Sequence, residues 1–289
     1  VSAGDSISSI TYRTVSPNSS FALGNELYYI KNGGTNIVST PILNDVFSDS
    51  PQNDTTNTDS GAGAEVSGNY CILNALKKSD SISTFGDGNL NVIGNVDNDQ
   101  TWGTISVSSG KFYFETTITS YSGSQQDGLV GISDVFLTNQ QEYVGKSSYS
   151  YAIAVAEYNT YMKKYNGNTA VNTDLTPPKL GDVIGVAFDL DNGKIWFHKN
   201  GVYANSGDPA AGTNAAYTGL SGTFTPAITC SGSTGGTVGH DLNFGQRKFA
   251  YNAPTNFKCL NTSSLPTPTV PDGSAHFQTS LWTGNGSTQ

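Results

Sequence analysis

The chain has 289 residues, a mass of 30.4 kDa and a formal net charge of −9. A surface of that sign repels phosphate backbones, and the lysine pairs Lys77–Lys78 and Lys163–Lys164 are isolated, so nucleic acid is excluded as a partner. No run of 18 apolar residues exists, so no membrane insertion is expected, and the opening VSAGDSISSI has neither the basic nor the apolar part of a secretory signal.

Only 13% of residues are charged, whereas Gly contributes 33, Tyr 15 and Phe 13. Tyr, Phe, Thr and Val suit pleated surfaces, and Gly and Asn suit turns, so the expectation is an all-β fold. Residues 1–45 hold three sparse β-like pieces, ISSITYRTV, ELYYI and TNIVSTPIL, too poor in apolar residues to form a core. Residues 46–68 read as a polar linker. Together 1–68 form an extended N-terminal arm or attachment segment.

From Asn69 the strand signals become dense: NYCILNAL, NLNVIGNV, TWGTISV, GKFYFETTI, GLVGISDVFL, SYSYAIAVAEY, VIGVAFDL, KIWFHK, TFTPAITC, HDLNFG and FKCLN. In GKFYFETTI, Phe112 and Phe114 fall on one face and Tyr113 and Glu115 on the other. SYSYAIAVAEY fits a strand or a short helix, and its Tyr and Val content favours the strand. No helix-length amphipathic pattern occurs. The spacing predicts an antiparallel β-sandwich over 69–261, followed by an extended, linker-like tail over 262–289.

Cys71, Cys230 and Cys259 are odd in number and lack CxxC spacing. They read as buried thiols of a reducing compartment rather than a disulfide scaffold or zinc site. The echo between NYCILN (69–74) and FKCLN (257–261) predicts that the two ends of the sandwich pair, which leaves a Cys71–Cys259 bridge open.

GDVIGVAFDLDNGKIWFHKNGV (181–202) admits three readings. As a calcium loop it fails, because position 12 counted from Asp189 is Asn200, not the bidentate Glu that an EF-hand requires. As a catalytic loop it lacks a nucleophile turn, and Glu115, Asp134, Glu142 and Glu157 are scattered, so no catalytic residue is assigned. As a hairpin it is complete. Ile184, Val186, Phe188 and Leu190 alternate onto one face, Asn192-Gly193 supplies the turn, Ile195 and Phe197 return, and Asn200-Gly201 turns again. Trp196 and His198 share a face.

GKFYFE (110–115), GLVGISD (128–134), 181–202, TFTPAIT (223–229) and LNFGQRKF (242–249) resemble the SPRY domain in order and spacing. The resemblance implies a concanavalin-like sandwich of two antiparallel sheets, a recognition module with contacts on its loops, and neither catalysis nor cofactor. The flanks DSPQN (49–53) and GNYCILNAL (68–76), with the exit LNTSSLPTPTVPDGSAHF and TGNGSTQ, resemble those around SPRY-like domains of tailed-bacteriophage virion proteins. Val270 stands where that pattern has Ile.

The expected function is therefore a non-enzymatic phage virion protein, foremost a tail fibre or tail-associated subunit, assembled in the host cytoplasm and located in the virion. Residues 1–68 would contact other virion proteins, the chain would form a homo-oligomer, and loops would meet a host-surface glycan or protein. Tyr158, Asn159, Tyr161, Tyr165 and Asn166 are the candidate contacts, since tyrosine faces stack on sugars while amides bond hydroxyls. The alternatives are a capsid decoration or head-fibre protein, a cellular SPRY adaptor that binds a short peptide, and a carbohydrate-active enzyme on the same fold. The last would need paired carboxylates facing one groove.

Overall fold

The computed structural model describes residues 31–32, 35–36, 59–66, 68–79, 84–94, 100–122, 128–136, 142–156, 159–230 and 236–266. The five-residue pattern DSPQN, the tail beyond Pro266, Glu157 and Tyr158 lie outside the described residues.

The strands are β1 (Lys31–Asn32), β2 (Thr35–Asn36), β3 (Leu73–Lys78), β4 (Thr84–Gly86), β5 (Asn91–Ile93), β6 (Gln100–Gly103), β7 (Lys111–Ser122), β8 (Leu129–Asp134) and β9 (Ser150–Ala154). They continue as β10 (Lys163–Asn166), β11 (Thr169–Asn172), β12 (Val183–Asp189), β13 (Lys194–Lys199), β14 (Val202–Tyr203), β15 (Tyr217–Thr218), β16 (Phe224–Thr229) and β17 (Thr237–Asn243). β1 and β2 pair with each other. The first main sheet runs β11-β10-β9-β8-β16-β6-β3. The second runs β14-β13-β12-β7-β17-β5-β4, with β15 beside β13. Every strand pairing is antiparallel, as the sequence predicts. Within SYSYAIAVAEY, Ser150–Ala154 is indeed a strand, β9.

Alternation decides which side chains meet between the sheets. Phe112, Phe114 and Ile118 of β7, Ile184, Val186 and Phe188 of β12, and Ile195 and Phe197 of β13 enter the inter-sheet core. There they pack against Val130 and Ile132 of β8, Ile153 of β9, and Phe224 and Ile228 of β16. Each such side chain contributes about 2 kcal/mol on burial.

The opposite faces are not left wet. Tyr113, Ala187 and Trp196, on the outer face of the second sheet, form a further layer with Val66, Tyr70, Phe249, Ala253, Phe257 and Cys259. Residues 59–66, polar enough to read as linker, therefore belong to the packed unit, which extends beyond 69–261 to Asp59 and Pro266. Glu65 holds this segment in place, accepting from Ser60 N at 2.9 Å and Ala62 N at 3.1 Å. On the outer face of the first sheet, Trp102, Leu129, Val144, Ala152, Ala154 and Ala227 form a smaller cluster.

The two ends of the sandwich pair as expected: Tyr70 bridges Asn261, and Cys71 N donates to Leu260 O at 2.8 Å. No disulfide follows. Cys71 faces the inter-sheet core and Cys259 the outer layer, and all three cysteines are buried and outside any disulfide. Burial pushes the Cys71 thiol up to about 11, and that of Cys259 up as well. The native protein is expected to leave all three unreacted with a chromophoric thiol reagent, and the urea-unfolded protein to release three equivalents. Rapid release from the native state would place a thiol at the surface instead.

One turn differs from expectation. Asp189 pairs with Lys194, so the β12–β13 loop has four residues, and Gly193 alone has positive φ, at 59°. The Asp189 carboxylate closes this loop, accepting from Asn192 N at 3.0 Å and Asn192 Nδ2 at 2.8 Å, and it pairs with Lys111 Nζ at 3.0 Å. The tight two-residue turn is instead Asn200-Gly201, with φ of 49° and 79°, between the paired Lys199 and Val202.

Candidate recognition surface at the distal loop end

The sandwich has two unlike ends. At one end Gly110, Lys111, Asp191, Lys258, Ser264 and Pro266 line a depression of about 470 Å³. Both flanking segments depart here: Asp59 Oδ2 accepts from Cys259 N at 2.8 Å and from Ser264 Oγ at 3.1 Å. The exposed side chains Leu76, Phe136 and Tyr149 occur on the rim of the first sheet at this end. Lys77 Nζ ties their neighbourhood together, donating to Val135 O at 2.7 Å, and Asp134 N donates to Tyr149 O at 2.9 Å.

The other end lies away from the described flank residues Asp59 and Ser264. β7 runs from Lys111 beside the flanks to Ile118, whose carbonyl accepts from Gly181 N at 2.8 Å. That separation is about 24 Å along an extended strand. Beside Gly181, Leu180 is 65% exposed. Val202, in the strand that follows the Asn200-Gly201 turn, is 63% exposed. Beside Lys179 and Lys199, the neighbours of these two residues, lies a depression of about 560 Å³ lined by Thr176, Pro177, Pro178, Lys179, Asp182 and Lys199. Its wall is braced: Lys199 Nζ donates to Thr176 Oγ1 at 2.6 Å, Asn200 Nδ2 to Asp182 Oδ1 at 2.8 Å, and the Tyr121 hydroxyl to Pro178 O at 3.0 Å. Tyr161 is 43% exposed and joins this surface, since Met162 N donates to Leu175 O at 2.8 Å.

A buried polar network fixes the same turn from beneath. His198 Nδ1 accepts from Gly201 N at 3.1 Å, which leaves the proton on Nε2. Nε2 lies 2.6 Å from the Tyr113 hydroxyl, and that hydroxyl donates to Glu115 Oε1 at 2.7 Å. Glu115 also accepts from Ala250 N and Tyr251 N, both at 2.8 Å. Burial pushes the Glu115 carboxyl above the usual range against the pull of these donors, and it depresses His198 to about 3. Gly185 makes the room, because a Cβ there would sit 1.9 Å from His198 Nε2. The chain of groups resembles a catalytic relay only on paper, because Tyr113, Glu115 and His198 are all sealed from solvent. It clamps the 249–251 segment and the Asn200-Gly201 turn onto the second sheet.

Glu115 and Asp189 are the buried carboxylates among the described residues, and each is spent on the fold. No group of three or more His, Cys, Asp or Glu gathers among the described residues.

The structure brings together only part of the candidate set chosen from sequence. Asn159 and Tyr161 lie in the loop leading to β10, at the distal end. Tyr165 instead packs edge-on against Tyr143 over the outer face of the first sheet, with ring centroids 6.0 Å apart. Asn166 braces the preceding loop, its Nδ2 donating to Ser148 O and Ser150 O, both at 2.9 Å. Leu180, Pro177, Pro178 and Val202 carried a signal that sequence reasoning passed over: apolar residues inside turn-type stretches, LTPPKLGD and KNGV.

A rigid antiparallel sandwich with loops displayed at its ends is a scaffold of the interaction-module class. Residues 111–247 match the model of the SPRY domain family, a family of modules that typically mediate protein–protein interaction. The SPRY domain of human HERC1 superposes with a TM-score of 0.44 at 16% identity, covering 59% of this chain and 96% of that one. Stonustoxin gives 0.44 at 14% identity over 61% of this chain, which spans 29% of the stonustoxin chain. The TRIM65 PSpry domain gives 0.43 at 14% identity, covering 60% of this chain and 92% of that one. No curated protein matches the chain.

Proposed function

We propose that the chain is a non-enzymatic recognition subunit of a tailed-bacteriophage virion, a tail fibre or tail-associated protein. The observation that carries the recognition reading is the opposition of the two ends. The flanks leave beside Asp59 and Ser264, and the half-exposed apolar residues Leu180 and Val202 border a depression at the far end. An attached module in this orientation holds the distal loops out toward a target. The phage reading is supported by the flank resemblance at 49–53, 68–76 and beyond Asn261. Residues 1–68, with the Leu76, Phe136 and Tyr149 rim, would face the particle, and the distal end would face a host-surface protein or glycan.

Two measurements test this. Immunogold labelling of parent particles with an antibody to residues 59–266 is expected to mark the tail. Label over the shell would make the chain a decoration protein, and particles without label would overturn the virion reading and favour a cellular adaptor. Separately, the double variant Leu180→Asp, Val202→Asp is expected to fold normally, because both side chains stand in solvent, and to reduce target binding at least tenfold. Unchanged adsorption of particles carrying it would overturn the distal-end assignment alone.

A further inference from the structure

The segment 249–253 is held by two different parts of the chain. Ala250 N and Tyr251 N donate to Glu115 of β7, both at 2.8 Å. Phe249 N and Ala253 N donate instead to the strip 59–66, to Ala62 O at 2.7 Å and to Gly61 O at 2.8 Å. Ala64 N adds a third bond, to Gly245 O at 2.7 Å. Glu65, which accepts from Ser60 N and Ala62 N, folds the strip into the shape that makes these bonds. The fit is close. A Cβ at Gly63 would fall 2.4 Å from Arg247 O and 2.9 Å from Phe249 N, and the φ of 79° there already favours glycine.

The same segment reaches the distal end through the Tyr251 side chain. Its ring lies against Gly201, where a Cβ would fall 2.6 Å from Tyr251 Cδ1. The ring centroid is 5.6 Å from that of His198, edge to face. His198 in turn accepts from Gly201 N at 3.1 Å and packs against Tyr203 with centroids 5.0 Å apart. Asn200 is held separately, since its N donates to Val183 O and its Oδ1 accepts from Val183 N, both at 2.8 Å. What depends on Tyr251 is therefore Gly201 and the exposed Val202 that follows it. The Leu180 loop at the same end rests on other contacts: Gly181 N donates to Ile118 O at 2.8 Å and the Tyr121 hydroxyl to Pro178 O at 3.0 Å.

We propose that the strip 59–66 is a strap that sets the distal turn. Seated, it holds 249–253 on the second sheet and keeps the Tyr251 ring over Gly201. Unseated, it removes the acceptors of Phe249 N and Ala253 N together, so the segment keeps only its two central bonds to Glu115 and Tyr251 loses its fixed place. A segment with released hydrogen bonds and few remaining contacts opens at a free energy well below that of global unfolding. Gly201 and Val202 then loosen while both sheets stay intact. The coupling runs through one contiguous set of packed groups, from the backbone of the strip to Phe249 and Ala253, to Tyr251 and on to the turn. Its bearing on target binding rests on the recognition reading above, whereas the strap itself does not.

Hydrogen–deuterium exchange of the whole chain, read at single amides, tests the strap without any target present. Gly63→Val unseats the strip through the clash with Arg247 O. Glu65→Ala loosens it with no clash and serves where Gly63→Val fails to fold. Each is expected to speed exchange at Phe249, Ala253 and Gly201 at least tenfold and to leave Gly181 unchanged. Tyr251→Ala keeps the backbone bonds of the strip and is expected to speed Gly201 alone among these four. Wild-type exchange at Gly201 in the strip variants would overturn the proposal. So would acceleration at Gly181 equal to that at Gly201, which would make the strip a general stabiliser. Unchanged adsorption of the Leu180→Asp, Val202→Asp particles would overturn the recognition reading and leave this result standing.

Discussion

Acidification from pH 7 is expected to destabilise the protein steeply, with the loss concentrated between pH 6.5 and 3. His198 and His240 are both depressed from 6.5 to about 3, by burial. Unfolded, each takes up a proton as pH falls through 6.5; folded, each refuses it until about 3. The unfolded state thus binds more protons throughout that window, so stability is fully present above 6.5 and falls as pH drops. Two groups give a slope of up to about 2.7 kcal/mol per pH unit, or about 4 kcal/mol lost by pH 5. Glu115 works in the opposite sense, because its raised carboxyl accepts a proton more readily in the folded state. It softens the lower part of the window without reversing it. Urea midpoints at pH 7, 6 and 5 check the slope. His240→Leu is expected to halve it, at the cost of the 3.3 Å hydrogen bond between Thr116 Oγ1 and His240 Nδ1, while Nε2 has no hydrogen-bond partner to lose. A midpoint that does not move between pH 7 and 5 would contradict the buried, neutral state of both rings.

Replacing Glu115 by alanine is expected to cost about 3–5 kcal/mol at pH 7, the largest loss from any single truncation considered. The substitution strands the Tyr113 hydroxyl and the Ala250 and Tyr251 N–H groups, all of which now end on its carboxylate. Glu115→Gln keeps the shape and one acceptor oxygen, so it should cost roughly half as much. Because the carboxylate holds the 249–251 segment, limited proteolysis near Tyr251 should accelerate in the alanine variant before global unfolding does. Tyr113 links Glu115 to His198, so the alanine variant should also alter the acid profile, and its effect should not add to that of a His198 substitution. Urea unfolding of the single and double variants measures both terms. A loss under 1 kcal/mol would mean that water reaches the stranded donors.

Much of the sandwich was legible because period-two alternation survives in the long strands. VIGVAFD and KIWFHK declare their register without help, and the Gly-rich turns punctuate them. The misplaced turn shows the limit of that reasoning. Asn192-Gly193 and Asn200-Gly201 look alike as dipeptides, and only the pairing register together with the Asp189 carboxylate makes the first a four-residue loop. The second layer was less legible still. The sequence places Tyr113 and Glu115 on the face opposite Phe112 and Phe114 and says nothing of what covers it, yet segments distant in sequence do cover it. The covering strip 59–66 disguises itself with small residues, which close approach requires: a Cβ at Gly63 would fall 2.4 Å from Arg247 O. Short strands such as β10, β11, β14 and β15 owe their existence to neighbours rather than to pattern.

The candidate surface was legible only in part, for a related reason. Tyrosine density marks a region but not a direction. Tyr161 and Tyr165 are four residues apart, yet one stands at a loop end and the other lies packed against Tyr143. Leu180 and Val202 are remote in sequence and come to the same end of the sandwich through the pairing of β12 with β13 and the Asp182–Asn200 hydrogen bond.

The adjacency of Asp59 and Ser264 has a mechanical consequence. Tension applied through the two flanks enters and leaves the domain at neighbouring points, so it does not stretch the sandwich along its strands. The load falls first on the contact between the departing segments and on the Tyr70–Asn261 bridge, which it opens one bond at a time, as a zipper opens. A domain hung this way can sit beside a load-bearing path without carrying the load, and its far loops keep their geometry while the chain that bears it is pulled.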